Sequence, residues 1–107
     1  MDNNDLPKEK LLHVLTVHVN MSRRNVETCF SEARASILLN DDDLEVGVFK
    51  LMNFNDSVNA YYDAYKLFYA VRRFFGLKSK IKHIEDGLAA VEFMTKEIDR
   101  LVDPRTP

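Results

Sequence analysis

The sequence predicts an all-α protein, a small bundle of four or five helices that ends in an antiparallel helical hairpin. Apolar residues recur at helical spacing along most of the chain, and only three Gly and three Pro occur in 107 residues. So few turn-forming residues argue against a sandwich or a barrel. A hydrophobic share of 46% is enough to form a core. The length fits one domain, with flexible tails expected at residues 1–5 and 103–107.

The first part of the chain forms either one long helix or two shorter ones. Pro7 suits the first turn of a helix, and two apolar patterns follow, at residues 11–19 and 26–38. A single helix from Pro7 to Leu39 would be about 50 Å long. It would overhang a domain with a radius of gyration of about 13 Å and a folded surface of roughly 6,000 Å². The sequence therefore favours a break near residues 20–22, and the alternative is a continuous helix whose overhang a second copy of the chain covers.

A short helix is expected next, between residues 43 and 54. Asp42 would cap this helix, and Glu45 would complete a capping box. Apolar and other residues alternate at positions 44–48, so the alternative is an α+β fold in which this segment pairs as a short strand with residues 17–19. We favour the helix, because two paired strands are weak without a sheet around them.

The following helix is predicted to be the most buried. Asn55 or Asp56 is a suitable cap, and Gly76 is suited to close the helix in a left-handed conformation. Two apolar stripes lie side by side between them. One stripe contains Val58, Tyr61, Tyr65, Phe68 and Phe75, and the other contains Ala60, Ala64, Leu67, Val71 and Phe74. The outer side is marked by Asn59, Asp63, Lys66 and Arg73.

The last helix is expected to run from about Ser79 to Val102 and to carry one narrow apolar seam. Its alternating three-four spacing is typical of a helix packed lengthwise against others. A short connection at residues 76–78 would make it antiparallel to the preceding helix. The seam consists of Ile81, Ile84, Leu88, Val91, Thr95, Ile98 and Val102.

Charge is distributed unevenly along the chain, although the formal net charge is only −2. The stretch from Lys66 to His83 contains six Lys or Arg residues and no acidic residue. Complementary patches can bind an oppositely charged partner or pair head to tail in an assembly, so we expect a homodimer. The acidic counterpart is a patch of Asp41, Asp42, Asp43 and Glu45.

The residue types that carry most catalytic and metal chemistry are sparse or unsuitably spaced. Cys29 is the single cysteine, which excludes an internal disulfide framework and a multi-cysteine zinc site. His13 and His18 are five residues apart, whereas a helical zinc pair needs a spacing of about four. The three glycines lie too far apart for a phosphate-binding loop. We therefore expect no enzyme activity, no metal and no cofactor.

These observations favour a non-catalytic protein–protein interaction module that self-associates, such as an adaptor, a small inhibitor, or an assembly or secretion chaperone. The alternative is a nucleic-acid-associated regulator that uses the basic run from Lys66 to Lys82. An acidic, polar start and the lack of a long apolar span predict a cytoplasmic protein that does not bind a membrane. Tyr and Arg dominate binding hot spots, and the expected partner-binding residues are Tyr62, Lys66, Tyr69, Arg72, Arg73, Lys78, Lys80 and Lys82.

Overall fold

The computed structural model describes residues 5–39, 43–103 and 105, and for residues 5 and 6 it describes only the backbone. Three helices account for the regular structure of these residues: α1 (Asp5–Leu39), α2 (Leu44–Phe74) and α3 (Lys82–Val102). The all-α class is therefore confirmed. The expected number of four or five helices is wrong for the described part of the chain, because two expected breaks do not occur.

The first missing break is the one expected at residues 20–22, where α1 continues without interruption. The buried side chains of Leu15, Val19, Val26 and Ala33 lie on one stripe that stays in phase across this segment. Neither Pro nor Gly occurs between Pro7 and Gly47 to end the helix. The long-helix alternative is thus the one the structure adopts, and α1 overhangs the short third helix.

The second missing break lies at Asn55 and Asp56, which are interior residues of α2. The helix begins instead after Asp43, whose Oδ1 accepts a hydrogen bond of 2.9 Å from the backbone N–H of Val46. This side chain satisfies one of the free N–H groups of the first turn. The cap expected at Asp42 falls outside the described residues. The strand alternative is wrong, because residues 44–48 and 17–19 are both helical.

The end of α2 follows the sequence prediction closely. Gly76 has a φ of 79°, and its N–H donates to the carbonyl of Arg73 at 2.9 Å. The N–H of Leu77 donates to the carbonyl of Arg72, also at 2.9 Å. These two bonds form a Schellman closure, which requires a left-handed residue at the position of Gly76. The connection then extends to Ile81, longer than expected.

The helices run alternately up and down. Lys8 near the start of α1 lies 5.3 Å from the ring centroid of Phe75 at the end of α2, and the rings of Phe30 and Phe54 lie 6.1 Å apart further along. The ends of α1 and α2 therefore meet in antiparallel order. The predicted antiparallel hairpin of α2 and α3 is also present, although α3 packs mainly along α1.

The core forms one continuous strip between the three helices. The predicted seam of α3 is confirmed at Ile84, Val91 and Ile98, which are buried, whereas Val102 is exposed. Gly87 and Met94 complete the buried face of α3. The buried apolar residues are Leu15, Val19, Val26, Ala33, Phe54, Val58, Tyr61, Ala64, Phe68, Tyr69, Ile84, Val91, Met94 and Ile98.

The burial of α2 was only partly predicted. Of its second stripe, Ala64 is buried and Val71 is half-buried, but Ala60, Leu67 and Phe74 are exposed. The expectation for those three is wrong, because α1 and α3 cover only one side of the helix within the described structure. The outer side was predicted correctly, since Asn59, Asp63, Lys66 and Arg73 are all exposed.

The molecule is elongated rather than compact. Its extents are 58 × 26 × 16 Å and its radius of gyration is 17.2 Å, against about 13 Å expected for this length. Its accessible surface is 7,459 Å², whereas a monomer of this mass averages about 6,100 Å². An unusually large share of the helix surfaces therefore faces solvent.

Candidate interaction surface

The structure divides the predicted partner-binding residues into two groups. Side chains that face solvent are Lys66, Arg73, Lys78, Lys80 and Lys82. Tyr62 and Arg72 are half-buried, and Tyr69 is only 6% exposed. Tyr69 is therefore a core residue of the structure, since its ring packs between α2 and the connection to α3, and its role in partner binding stays a prediction.

Tyr69 belongs to a cluster that holds this connection in place. Its hydroxyl donates to Oε2 of Glu85 at 2.8 Å and accepts a hydrogen bond of 3.1 Å from the N–H of Ile81. Tyr65 donates to the same Oε2 atom at 2.7 Å. Lys80 lies 4.7 Å from the centroid of the Tyr69 ring and 3.8 Å from Oε1 of Glu85. The cluster thus joins the last turns of α2 to the first turn of α3.

The hydrogen bonds of this cluster shift its acid–base properties. The bond that Tyr65 donates is the main cause that holds the pKa of Glu85 below its ordinary value of 4.5. Burial raises the pKa of Tyr65, and the hydrogen bond to Glu85 raises it further. Burial also raises the pKa of Tyr69. The favoured state is therefore an ionised Glu85 that accepts hydrogen bonds from two neutral tyrosines.

Arg72 supports the same connection from the other side. Its guanidinium lies 5.7 Å from the centroid of the Phe68 ring, and its Nη2 atom is 3.5 Å from the carbonyl oxygen of Ser79. Arg72, Tyr69 and Lys80 are therefore engaged within the molecule. Their roles in partner binding stay predictions. Lys66, Arg73, Lys78 and Lys82 are the residues of the basic run that make no such contacts with the described part of the chain.

A second packed cluster lies where the three helices meet. A Cβ atom added at Gly87 would come within 2.9 Å of Cδ of Arg23 and 3.4 Å of the Tyr61 hydroxyl. Burial raises the pKa of Tyr61 to about 12, and its hydroxyl has no hydrogen-bond partner within the described structure. Arg23 itself pairs with Glu27 at 2.6 Å. A side chain at position 87 would therefore have to displace the Arg23 side chain and would crowd the Tyr61 hydroxyl, and glycine avoids both.

One long uncovered surface is the outer face of α2, opposite its core side. It follows three-four spacing for about 42 Å of helix, and every residue along it is exposed. Neither α1 nor α3 covers this face in the part of the chain that the structure describes. Its residues are Glu45, Phe49, Met52, Asp56, Asn59, Asp63, Lys66, Ala70 and Arg73.

Both ends of the outer face of α2 are apolar. The first end consists of Leu44, which is 85% exposed, and of Val48, Phe49 and Met52. These side chains, with Glu45, line one shallow hollow. The second end consists of Leu67, Ala70 and Phe74, and Phe74 is 83% exposed.

Sequence reasoning missed the first apolar end because it treated residues 43–54 as a separate helix with its own orientation. A signal was present in the sequence. If the helical phase of Tyr61 and Phe68 is continued back through Phe54, residues 45, 49 and 52 fall on the side of Asn59 and Lys66. The continuous helix places them there, so apolar side chains that resemble core positions are exposed to solvent.

Charge also changes along the outer face of α2. Its first two-thirds carry Glu45, Asp56 and Asp63, and its last third carries Lys66 and Arg73. Of the predicted acidic patch, Asp41 and Asp42 lie outside the described residues, and Asp43 caps the helix. Glu45 is the member of that patch that lies on this face.

The described residues contain no group of three or more His, Cys, Asp or Glu side chains placed to hold a metal ion. Cys29 is half-buried, with Sγ 4.0 Å from Oδ1 of Asn25. None of the three helices is both long and apolar enough to cross a membrane.

No protein-family model matches the chain, and neither a curated protein nor a solved structure matches it significantly. The structural class of this protein therefore follows from its fold and from the uncovered face of α2 alone. The chain forms an elongated antiparallel three-helix protein whose second helix leaves one amphipathic face uncovered.

Proposed function

We propose that this chain is a non-catalytic protein–protein interaction module that binds its partner through the outer face of α2. The observation that carries this proposal is the exposure of large apolar side chains at both ends of that face, with Phe49 at 55% at the first end and Phe74 at 83% at the second. Exposed apolar residues that cluster between polar ones are typical of interaction sites. Single exposed apolar residues are common, whereas Leu44, Val48, Phe49 and Met52 lie together at the first end of this face.

The surface area supports the proposal. The accessible surface of 7,459 Å² exceeds the average for a monomer of this mass by about 1,300 Å². A standard protein–protein interface removes about 800 Å² from each partner. The excess is thus large enough for one interface of ordinary size, and the outer face of α2 is one of the surfaces that contribute to it.

Residue types along the face also suit a protein partner. Aromatic residues, Met and Arg are enriched where interfaces are buried. This face contains Phe49, Met52 and Arg73, and its second apolar end contains Phe74. Lys66 and Arg73 were predicted as partner-binding residues, and both lie on it. Charged residues between apolar ends can set the orientation of a bound helix.

Site-specific photo-crosslinking tests this proposal. A benzophenone amino acid is introduced at Phe49 and, in a second variant, at Phe93, which is exposed on α3. In living cells the first variant should form a covalent adduct with a protein, and the second should form much less. Equal or absent adducts at the two positions would contradict the proposal, and mass spectrometry of the adduct identifies the partner.

Nucleic-acid binding is the second candidate function, and one observation favours it. Phe74 is exposed beside Arg73, and an exposed aromatic ring within a basic run can stack on an unpaired base. Lys66, Lys78 and Lys82 are also exposed in the same run. The net charge of −2 opposes a polyanion at long range, so the protein partner remains the first candidate.

Fluorescence anisotropy with single-stranded and duplex oligonucleotides distinguishes this candidate from the first. If four basic residues contact phosphates on a duplex, the log–log salt plot should have a slope of about −3.6. Replacing Phe74 by Ala should then weaken single-strand binding severalfold, and Phe93→Ala on α3 should not. No binding at low salt would eliminate this second candidate.

A further inference from the structure

We propose that the partner of the outer face of α2 is the same face of a second copy, with the two helices antiparallel across a twofold axis. This inference rests on the proposed function, because it identifies the occupant of the same surface. It adds the identity of the partner, the relative direction of the two α2 helices and the residues that contact one another. The argument comes from the order of charges and apolar residues along one exposed helix.

The order of acidic and basic residues along the outer face of α2 favours an antiparallel second copy. Glu45 and Asp56 lie toward the start of the face, Asp63 lies just past its middle, and Lys66 and Arg73 lie toward its end. In a parallel pair, each acidic residue would lie opposite its own copy, and so would each basic residue. In an antiparallel pair, the acidic part of each helix faces the basic part of the other, and the helix dipoles are also opposed. The surface is therefore complementary to itself in one direction only.

One register satisfies the polar and the apolar residues together. With Asp56 opposite Lys66 of the second copy, Met52 comes opposite Ala70 and Phe49 opposite Arg73. The large side chain of Met52 then packs against the small side chain of Ala70. The guanidinium of Arg73 lies against the ring of Phe49, which is a favourable cation–π pair. Asn59 faces Asp63 near the axis, where the amide can donate to the carboxylate.

The same register covers both apolar ends. Val48 and Phe49 of one copy lie against Arg73 and Phe74 of the other, and the twofold axis repeats this contact at the opposite end. Glu45 is one turn from Phe49, within reach of the basic end of the second copy. One symmetric interface thus covers Phe49, Met52 and Phe74 of both copies.

Sedimentation equilibrium of charge-exchanged variants tests the register. The wild-type protein should form a dimer at tens of micromolar. Asp56→Lys and Lys66→Asp should each raise the dimer dissociation constant at least about tenfold, because each places like charges opposite one another at two symmetric positions. In the double variant D56K/K66D, the dimer dissociation constant should return to within about threefold of the wild-type value. The matched control D99K/K96D changes exposed charges on α3 and should leave dimerisation unchanged.

Disulfide trapping tests the direction independently. In a Cys29→Ser background, M52C/A70C should form a covalent dimer on mild oxidation. M52C alone should not, because the two copies of position 52 would lie about 27 Å apart along the antiparallel helices. Circular dichroism of every variant confirms that it retains the helical fold.

The outcomes separate this inference from the proposed function. A wild-type protein that stays monomeric at hundreds of micromolar overturns the inference, as does a dimer whose stability the charge exchange does not restore. Ready trapping of M52C alone would establish the parallel direction instead. If photo-crosslinking at Phe49 yields a different protein while the purified chain is monomeric, the proposed function stands and the second copy is excluded.

Discussion

The hydroxyl of Tyr65 donates a hydrogen bond of 2.7 Å to Oε2 of Glu85, and this contact ties α2 to α3. Tyr69 donates to the same oxygen at 2.8 Å. One carboxylate therefore receives two hydroxyl groups from successive turns of a single helix. The carboxylate therefore fixes the connection from the core side of α2, and the opposite face stays uncovered in the described structure.

Replacing Glu85 by Gln should lower the free energy of unfolding by about 1–2 kcal/mol. Hydrogen bonds to a charged acceptor contribute about 1.5–3 kcal/mol each, and the partial exposure of this carboxylate favours the lower end. Thermal unfolding should move down by about 4–8 °C per kcal/mol in a chain of this size. Glu32→Gln, an exposed change on α1, should leave the melting temperature unchanged. Equal melting temperatures for Glu85→Gln and wild type would contradict this role.

Acid should destabilise the protein partly through Glu85. Its pKa is held below the ordinary value of 4.5 in the folded state, so the unfolded state binds more protons as the pH falls. The stabilisation by this carboxylate is present above pH 4.5 and is lost as the pH drops through the folded-state pKa. Urea unfolding at pH 7 and below pH 4 should show a smaller acid-induced loss for Glu85→Gln than for wild type. An identical loss in both proteins would mean that Glu85 does not contribute.

Alkali should destabilise the protein through Tyr61, whose pKa is raised from 10.0 to about 12 by burial. At a pH between these two pKa values, the unfolded chain loses the phenol proton of Tyr61 and the folded chain keeps it. The free energy of unfolding therefore falls as the pH rises above 10. Tyr61→Phe should reduce this loss. At pH 7 the same variant should differ from wild type by no more than about 1 kcal/mol, because the buried hydroxyl has no partner within the described structure. Urea titrations at both pH values check the two expectations.

The three glycines should respond differently to substitution. Gly47→Ala should stabilise the protein by about 0.5–1 kcal/mol, since the nearest atom, Oγ of Ser36, would be 3.4 Å from the added Cβ. Gly87→Leu should destabilise it by about 2–3 kcal/mol, because even a Cβ would come within 2.9 Å of Arg23. Gly76→Ala should cost about 1 kcal/mol, because its φ is 79°. Chemical denaturation measures all three, and equal effects at Gly47 and Gly87 would contradict the close approach of α3 to α1.

Proline substitution tests the continuity of α1 at the expected break. Met21 is exposed, so its replacement removes little packing. Met21→Pro should nevertheless destabilise the protein by about 3 kcal/mol or more, because it removes an internal hydrogen bond and clashes with the preceding turn. Met21→Ala is the control and should be nearly neutral. A well-tolerated proline would show that the chain turns at residues 20–22 in solution.

The elements predicted most accurately are those governed by local chemistry or by an unbroken periodicity. Gly76 ends α2 because only glycine enters the left-handed conformation at little cost. The seam through Ile84, Val91 and Ile98 buries α3 as its spacing predicts. The outer side at Asn59 and Lys66 was recognised because polar residues recur there at helical spacing.

Tyr69 shows why a helical periodicity alone does not decide burial. It was grouped with Lys66 and Arg73 as an expected partner-binding residue, yet α3 begins close enough to bury its ring, and Glu85 accepts a hydrogen bond from its hydroxyl. Leu44 and Phe49 show the reverse effect, since apolar residues remain exposed where the described structure contains no covering helix. Which side of a helix is covered depends on its neighbours, and the neighbours depend on where every helix ends.

The sequence by itself determined the helical class, the left-handed end of α2, the seam of α3 and the polar outer side of α2. Only the tertiary structure decided that the chain continues through residues 20–22 and through Asn55 and Asp56. A local capping residue contributes about 1 kcal/mol, whereas continuing an in-phase stripe buries several large side chains at about 1.5–3 kcal/mol each. The continuous stripe therefore prevails, and the long second helix that results exposes the face on which we expect a partner to bind.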